Sequence, residues 1–403
     1  LPLPPSEPWG RCPAKRRNRP PPSRTRPTAS TKTDPAAWPR DRNAVEACPP
    51  VAPRAVTVRS RTARLPVRAC RAPGSSGVIG SVNISRRAFL HRSALGLTGA
   101  WLTATRVAAP ATEQGNRAVA RPLRLGGPIF QPPTDPEALA RLHRQLGYGA
   151  AYCPDIPLED RDRIRAVAAA FARHRVVIAE VGRWVNLLDA DPDRRKRNLQ
   201  FVIEGLALAD EVGALCCVDI AGSFSTTHWY GPHPDNLSPR FFEAAVENAR
   251  KIIDTVKPRR AKFCYEMMAW SLPHTPDAAL QMLKAVDRPA FAVHLDPCNL
   301  INSPEKFYRN TDLLNECFDK LGPWIVSCHA KDLAWEVEMS IHFREVRPGL
   351  GSLDYETYLR RLAQLPHRPP LMLEHLATAE EYAAAARHLR DLGRRLGLVW
   401  DPS

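Results

Sequence analysis

No pair of cysteines in the sequence has the CxxC spacing that zinc sites and thioredoxin-like redox sites use. Three of the ten cysteines precede residue 71, and the other seven are an odd number, which does not favour a complete set of disulfides. Cys264, Cys298 and Cys328 lie in or just after apolar segments, where a free thiol behaves as a small apolar side chain. We therefore expect buried free cysteines.

Acidic residues are scarce at the start of the chain. Residues 1 to 111 contain 20 Lys and Arg against 4 Asp and Glu, a net charge of +16, whereas the rest contains 37 against 38, a net charge of −1. The excess positive charge of the whole chain, +15, therefore comes from this leader. Binding to a phosphate backbone requires basic residues on the folded surface. Because the rest of the chain is nearly neutral, we predict no nucleic-acid partner.

Periodic apolar patterns are also missing from residues 1 to 80, which carry 16 of the 40 prolines. Such a segment cannot bury enough apolar surface to offset the entropy of ordering, so we predict that it is disordered. The chain opens with Leu1 and has no methionine before Met267. We therefore expect part of this segment to be upstream sequence that is not translated, with Val78 or Val82 as the alternative start.

Long hydrophobic runs are absent, and the apolar run over residues 93 to 102 is too short to span a bilayer. It follows Arg86 and Arg87 and precedes small residues around Ala109, an order that resembles a twin-arginine export signal. We assign residues 81 to 111 to this signal and predict no stable membrane span. The resemblance implies export by the twin-arginine machinery to a periplasmic or extracellular location.

Residues 112 to 403 have the pattern of a single α/β domain. Short β-rich runs alternate with amphipathic helical segments, which predicts parallel strands with helical crossovers. Eight repeats in about 280 residues match a (β/α)8 TIM barrel better than an open doubly wound sheet. The predicted strands cover residues 123 to 125, 150 to 153, 176 to 181, 215 to 221, 262 to 268, 291 to 296, 325 to 331 and 371 to 375. The predicted helices cover residues 136 to 146, 161 to 174, 193 to 212, 239 to 256, 276 to 285, 304 to 321, 355 to 365 and 379 to 396.

Four of the late strands end in residues that an apolar core strand should not contain, namely Glu266, Asp296, His329 and Glu374. Active sites of such barrels lie at the C-terminal ends of the strands, so these side chains should converge. Three carboxylates around one barrel mouth would repel one another unless a cation held them together. We therefore predict a divalent-metal site, and its oxygen-rich ligand set favours Mn²⁺, with Mg²⁺, Co²⁺ or Zn²⁺ as alternatives.

The order of these residues, together with His-Ala-Lys-Asp at 329 to 332 and Arg-Pro-Gly-Leu-Gly at 347 to 351, resembles the xylose-isomerase-like barrels. That superfamily includes sugar isomerases, D-tagatose 3-epimerase-like enzymes, inosose dehydratases and endonuclease IV. The resemblance spans the whole barrel and implies that Glu266, Asp296, His329 and Glu374 bind the metal. In the epimerase-like branch, Glu266 and Glu374 would also be catalytic, one removing a proton beside the substrate carbonyl and the other returning it through an enediolate.

One position departs from the epimerase-like pattern. Many of these enzymes have a histidine three residues after the metal-binding aspartate, whereas this chain has Asn299. An amide can donate and accept hydrogen bonds but cannot exchange a proton near neutral pH. The resemblance therefore supports the metal site more strongly than it distinguishes epimerisation from elimination.

Further residues are predicted to contact the substrate because they lie near strand ends or in the long loop 222 to 238. The aromatic side chains of this loop could stack on a sugar ring and form a lid. The substrate-binding candidates are Glu180, Trp184, His228, Trp229, His294, Asn299, Lys331 and Arg347. Alternatively, His294 lies on the same strand face as Asp296 and supports it from behind.

The leading functional hypothesis is a divalent-metal-dependent sugar isomerase or epimerase that acts on a small-molecule carbohydrate. The alternative is a keto-sugar or keto-inositol lyase or dehydratase on the same metal site, followed by a noncatalytic sugar-binding protein. An abasic-site endonuclease would need additional metal ligands and a basic face for DNA, which the neutral barrel argues against. The sequence leaves open which sugar is bound, whether it is phosphorylated, and whether the protein is a homo-oligomer.

Overall fold

The structure is a computed structural model in which residues 122 to 402 are described. The predicted leader at 1 to 80 and the predicted export signal at 81 to 111 lie outside this range. The strands are β1 Leu125–Gly126, β2 Ala150–Tyr152, β3 Val177–Gly182, β4 Cys216–Asp219, β5 Lys262–Glu266, β6 Phe291–Leu295, β7 Ile325–Ala330, β8 Asp332–Glu336, β9 His342–Val346 and β10 Leu371–Leu373. The α-helices are α1 Pro136–Gln145, α2 Arg161–Arg173, α3 Pro192–Val212, α4 Pro239–Val256, α5 Pro276–Val286, α6 Pro304–Tyr308, α7 Asn310–Leu321, α8 Tyr355–Gln364 and α9 Ala379–Arg395. Short 3-10 helices cover Pro234–Leu237, Cys298–Leu300 and Gly322–Trp324.

Eight of these strands form a closed parallel barrel in the order β1-β10-β7-β6-β5-β4-β3-β2. Neighbouring strands follow the order of the chain once the β8-β9 pair is set aside, and at least one helix follows each barrel strand before the next one begins. The predicted α/β (β/α)8 TIM barrel is therefore confirmed. This architecture brings the C-terminal ends of the eight strands to one mouth.

Local capping explains where many of the helices begin. Asp135, Asp191, Ser238, Thr275 and Ser303 each precede a proline that opens a helix, and each side chain accepts a hydrogen bond from a backbone N–H of the first turn. The side-chain oxygen satisfies a donor that the first turn leaves unpaired, while the proline has no N–H to satisfy. Within the described range, no helix is long and apolar enough to cross a membrane.

The core has one layer between the strands and the outer helices and another inside the barrel. In the outer layer Phe171, Phe241 and Tyr358 are fully buried, and each large apolar side chain buried in this way stabilises the fold by about 1.5–3 kcal/mol. Inside the barrel, Cys216 and Cys264 pack with other small side chains. The cysteines of the described range are free, and all except the half-buried Cys153 are buried, as expected.

The sequence predicts one continuous helix over residues 304 to 321, but a break at Arg309 separates α6 from α7. Arg309 has φ −117° and ψ 35°, outside the helical region. The side-chain amide of Asn310 donates to Phe307 O at 2.8 Å and to Ser352 O at 3.0 Å. These bonds compete with the regular helical ladder and tie the break to the loop before α8.

A second difference is the antiparallel hairpin β8-β9, which lies between β7 and α8. Trp335 and Phe343 are paired across the hairpin, and the ring of Phe343 stacks on that of Phe307 at a centroid distance of 5.0 Å. The connecting residues 337 to 341 lack the Asn-Gly or Asp-Gly pair that marks a tight hairpin, so the sequence pattern does not predict it. The hairpin begins directly after Lys331 and so belongs to the barrel mouth.

Candidate functional site

The four predicted metal ligands converge at the barrel mouth. Glu266 ends β5, Asp296 follows β6, His329 is the next-to-last residue of β7, and Glu374 follows β10. One oxygen or nitrogen atom of each residue lies within 4.8 Å of the others. His329 Nδ1 is 3.0 Å from Glu266 Oε1, 2.9 Å from Glu374 Oε1 and 3.5 Å from Asp296 Oδ2. The predicted convergence is therefore observed.

Lys331 lies inside this quartet. The sequence predicts it only as a substrate contact, whereas the structure places it directly beside the predicted metal ligands. Its Nζ atom is 2.8 Å from Asp296 Oδ2, contacts Glu374 Oε1 and lies 3.6 Å from Glu266 Oε1. The side chain is only 3% exposed. Burial lowers the pKa of Lys331, but Asp296 and Glu374 more than compensate and hold the pKa well above its ordinary value. Lys331 therefore supplies a permanent positive charge to the cluster.

Opposite charges keep Asp296 and Glu374 ionised. Burial would raise the pKa of Asp296, but Lys331 and His329 hold it well below the ordinary value. Burial also opposes ionisation of Glu374, yet the same two cationic neighbours lower its pKa to about 2. Burial likewise lowers the pKa of His329, while Glu374, Glu266 and Glu180 raise it well above the usual range. The cluster therefore presents anionic oxygen atoms at neutral pH.

The donor atoms of the quartet fit a divalent cation. Asp296 Oδ1 accepts the backbone N–H groups of Cys298 at 3.0 Å and Asn299 at 3.3 Å. Asp296 Oδ2 and Glu374 Oε1 are buried and accept no hydrogen bond of acceptable geometry, although Lys331 lies close to both. Lys331 compensates part of the negative charge of these two oxygens, and a divalent cation bound among the three carboxylates of the quartet would satisfy them as ligands. Three carboxylates and one imidazole are suitable ligands for Mn²⁺, Mg²⁺, Co²⁺ or Zn²⁺.

The structure places Glu180 deeper than its predicted position at the end of a strand. β3 continues to Gly182, so Glu180 lies one layer below the mouth and is only 1% exposed. Its Oε2 atom accepts a hydrogen bond from Ser327 Oγ at 2.8 Å and lies 2.9 Å from His294 Nε2. Its Oε1 atom lies 3.2 Å from His329 Nε2. The predicted substrate contact of Glu180 does not fit this placement, because both of its oxygens are engaged by protein groups.

His294 belongs to the same buried layer and is fully buried. Its ring centroid lies 4.1 Å from that of His329, with the rings near perpendicular. This arrangement matches the alternative in which His294 supports the metal ligands from behind, and not the predicted contact with substrate. Sequence reasoning missed Ser327, although strand alternation puts it on the same face of β7 as His329.

Asn299 lies in the short helix after Asp296, and its side chain faces the quartet. The amide nitrogen donates to Glu266 Oε1 at 3.1 Å and to Met267 O at 3.0 Å. The amide oxygen lies 3.4 Å from Lys331 Nζ. The residue that departs from the epimerase-like pattern therefore orients one of the two candidate catalytic glutamates.

Trp184 and the loop 222 to 238 lie near the mouth. The ring centroid of Trp184 is 6.4 Å from that of His329, and the side chain packs against the small residues inside the barrel. His228 is exposed, whereas Trp229 is half-buried and contacts Tyr230 edge-on at 5.0 Å. The indole N–H of Trp270 donates to Tyr230 O and joins this loop to the one after β5.

The loop predicted as a lid is fastened by internal hydrogen bonds. Asn236 is fully buried; its side-chain oxygen accepts the N–H of Phe224 at 2.9 Å, and its amide nitrogen donates to Gly231 O at 3.1 Å. Ser223 is buried too and donates to Gly231 O at 2.6 Å. The loop is therefore a compact structure built around two buried polar side chains.

Arg347 lies half-buried in the turn that follows the hairpin, and Asp332 organises that turn. Asp332 Oδ2 accepts the backbone N–H groups of Gly349 at 2.9 Å and Gly351 at 3.0 Å. Gly349 has φ +93°, a conformation that residues with a Cβ rarely adopt. Asp332 directly follows Lys331, so it couples the turn that carries Arg347 to the quartet.

Comparison with known proteins agrees with this architecture. The sequence model of the family described as the xylose isomerase-like TIM barrel matches residues 140–392. A search of curated proteins finds no match. Among solved structures, a xylose isomerase domain protein from Planctomyces limnophilus is 17% identical and covers 69% of this chain and 99% of its own, with a TM-score of 0.51.

Two further solved structures have the same barrel. Endonuclease IV from Thermus thermophilus is 17% identical, covers 68% of this chain and 99% of its own, and has a TM-score of 0.51. The probable 3-DHS dehydratase AsbF from Bacillus anthracis is 14% identical, covers 67% of this chain and 98% of its own, and has a TM-score of 0.50. At such identities the similarity supports the fold alone. The family match extends over more than half of the sequence, and the chain therefore belongs to the xylose isomerase-like TIM barrel family.

Proposed function

We propose that this barrel is a divalent-metal-dependent sugar isomerase or epimerase that moves a proton beside a carbonyl group. The observation that carries the proposal is the convergence of Glu266, Asp296, His329 and Glu374, whose donor atoms lie within 4.8 Å of one another. The aromatic rings of Trp184 and Trp229 near the mouth support a carbohydrate ligand, since such rings stack on sugars. Mn²⁺ is the metal we favour, because carboxylate oxygens dominate the ligand set.

The residues of the quartet divide into two roles. Asp296 and His329 would hold the cation, because Asp296 is fixed by two backbone N–H groups and His329 is buried among carboxylates. When bound, the cation would polarise the carbonyl and hydroxyl oxygens of the substrate and make the neighbouring C–H bond more acidic. Glu266 and Glu374 would bind the cation and also exchange protons with the substrate.

The proton transfer balances among the substrate, the two glutamates and solvent. One glutamate takes the proton from the carbon beside the carbonyl, and the electron pair of that C–H bond forms an enediolate. In epimerisation the other glutamate, once it has taken up a proton from solvent, returns it to the opposite face of the same carbon. In isomerisation a proton is returned to the neighbouring carbon, and the hydroxyl proton of that carbon passes to the former carbonyl oxygen. Asn299 keeps Glu266 oriented through the 3.1 Å hydrogen bond to Oε1, and Lys331 lies where its charge stabilises negative oxygen atoms.

Elimination is the second candidate, and Asn299 is the observation that favours it. The amide cannot supply the proton exchange that a histidine at this position could provide. A keto-sugar or keto-inositol lyase or dehydratase would remove the same proton but would expel a β-substituent instead of reprotonating the carbon. The same glutamate base and the same cation would serve both reactions.

The decisive experiment is incubation of metal-loaded protein with free keto-sugars and keto-inositols in deuterated water. Solvent deuterium in an isomeric product supports isomerisation or epimerisation, and a dehydrated or cleaved product supports elimination. Protein stripped with a chelator should lose activity and regain it with Mn²⁺. Sugar binding without any exchange of substrate protons, with each of the four candidate metals, would instead indicate a noncatalytic sugar-binding protein.

We also propose that the protein is exported by the twin-arginine route. The paired Arg86 and Arg87, the following apolar run and the small residues around Ala109 support this proposal. Replacing both arginines with lysine should keep the protein in the cytoplasm of a host with an active twin-arginine system. Unchanged export of that variant would contradict the proposal.

A further inference from the structure

The imidazole of His329 connects two polar layers of the barrel. Its Nδ1 atom faces the quartet, at 3.0 Å from Glu266 Oε1 and 2.9 Å from Glu374 Oε1. Its Nε2 atom faces the opposite way, at 3.2 Å from Glu180 Oε1. Both side chains of this lower contact are fully buried. The group that contacts Nε2 therefore determines whether Nδ1 faces the quartet with a proton or with a free lone pair.

Glu180 is itself held in place by two neighbours. Ser327 Oγ donates to its Oε2 atom at 2.8 Å, and His294 Nε2 lies 2.9 Å from the same atom. These contacts use Oε2 and leave Oε1 for His329. The residue also lies inside a regular strand, paired in register with Cys216 of β4. Its carboxylate is therefore fixed relative to β7, which carries both Ser327 and His329.

A carboxylate at this position acts on the imidazole in a specific way. A neutral imidazole carries one proton, and the nitrogen without it offers the lone pair that binds a metal. An ionised carboxylate can only accept, so it keeps the proton on the nitrogen that it faces. Metal-bound histidines commonly donate their other N–H to such a group, which fixes the ring and makes it a stronger ligand.

We propose that Glu180 is a positioning residue that retains the proton of His329 on Nε2 and directs the lone pair of Nδ1 at the cation. This inference rests on the proposed metal-dependent function. It gives the buried layer beneath the quartet a role in that function, namely support of a metal ligand. The donor atoms of Glu180, His294 and His329 are also close enough to hold a second ion. The hydrogen bonds from Ser327 and His294 already satisfy Oε2, so the structure favours support of one ion over a second site.

The test is calorimetric titration of chelator-treated protein with Mn²⁺, together with the measured number of ions bound per chain. Glu180→Met keeps the volume of the side chain and removes both acceptor oxygens, so the Kd for Mn²⁺ should rise about 10–100-fold. Glu180→Gln keeps one oxygen that can face His329, so it should recover much of that loss. Cys264→Ala is the control, because Cys264 is also fully buried inside the barrel and packs among small apolar side chains, and its Kd should change by less than about 3-fold.

A spectroscopic measurement separates positioning from general damage to the fold. The imidazole ¹⁵N shifts of His329 in Mg²⁺-loaded protein should show a protonated Nε2 in the wild type and in Glu180→Gln. Glu180→Met should lose this pattern while its circular dichroism spectrum remains that of the wild type.

The possible results separate this inference from the proposed function. Wild-type affinity for Mn²⁺ in Glu180→Met, or two ions bound per wild-type chain, would overturn the positioning role. Weakened Mn²⁺ binding in Glu180→Met, with no sugar turned over by the wild type, would support the positioning role and contradict the proposed enzyme. A wild-type chain that binds no divalent cation would overturn both.

Discussion

Lys331 Nζ lies 2.8 Å from Asp296 Oδ2, deep in the barrel mouth and beside two further carboxylates. This ion pair is buried on both sides, so neither charge is screened by solvent. Removing one partner of a buried pair leaves the other uncompensated, which is far more destabilising than losing a surface pair. Lys331 is therefore part of what stabilises the protein when no metal is bound.

Lys331→Met should destabilise chelator-treated protein by about 3–5 kcal/mol, because Asp296 then lacks its nearest cation. Added Mn²⁺ should restore much of this loss, so the rise in melting temperature on metal addition should be larger in the variant than in the wild type. Thermal unfolding with chelator and with Mn²⁺ measures both effects. Lys320→Met, which removes the solvent-accessible pairs of Lys320 with Asp277 and Glu316, is the control and should change stability by less than about 1 kcal/mol. Equal effects of the two substitutions would contradict the role of Lys331.

Asp296→Asn and Glu374→Gln should fail in different ways. Asp296→Asn keeps the oxygen that accepts the backbone N–H groups but weakens the cation ligand, so high metal concentration should restore activity. Glu374→Gln should remain about 10²–10⁴-fold slower in proton exchange even at saturating metal, because an amide cannot act as the base. Deuterium exchange as a function of Mn²⁺ concentration distinguishes the two. Full recovery of Glu374→Gln by metal would show that Glu374 only binds the cation.

Asn299→Ala should lower the turnover number by about 10-fold with a smaller change in KM. The substitution removes the 3.1 Å hydrogen bond that orients Glu266, a group whose proton transfer depends on position. Asn302→Ala is the matched control, since Asn302 also donates to a backbone carbonyl, that of Ala269, but lies at the exposed side of the same loop. Steady-state kinetics of both variants test this prediction, and similar losses in the two would argue against a specific role of Asn299.

The burial of His143 predicts a pH dependence of the free energy of unfolding that does not involve the residues of the quartet. This side chain is buried beside Phe171, and burial lowers its pKa to about 4 from an ordinary value of 6.5. Between these values the unfolded chain binds a proton that the folded chain does not. The contribution is therefore fully present above about pH 6.5 and is lost as the pH falls through about 4, with a size on the order of 3 kcal/mol.

His143→Leu should remove this part of the slope. The measurement is the free energy of unfolding in denaturant at several pH values from 4 to 7, as the difference between variant and wild type. His228→Leu, at an exposed position, is the control and should leave the slope unchanged. A slope that persists in His143→Leu would mean that other groups account for it.

The sequence predicts the barrel well because each repeat carries its own local signals. Proline after a capping residue, as at Asp135 and Ser238, marks a helix start, and apolar runs mark the strands between. The quartet follows from the fold, because the C-terminal ends of the barrel strands meet at one mouth and polar residues there are expected to lie close together. Depth is harder to predict: β3 runs two residues beyond Glu180, which lowers its carboxylate from the mouth to the layer beneath.

Two other features depend on contacts between residues far apart in the chain. The hairpin β8-β9 packs on α6 through the contact of Phe343 with Phe307, and no turn pattern in the sequence predicts this hairpin. The break between α6 and α7 depends on Asn310 bonding to Ser352. Likewise, the position of Lys331 inside the quartet depends on charges from three other strands. Such features are set by tertiary packing, which a local pattern does not contain.

Asn236 has a final consequence for how the proposed sugar ligand would be selected. With its side chain bonded to Phe224 and Gly231, the loop 222 to 238 is already ordered before any ligand arrives. Binding then costs little conformational entropy in this loop, and affinity depends on how well the ligand fits an existing surface. Wrong sugars should accordingly be rejected by poor fit and fast dissociation, not by failure of a closing movement.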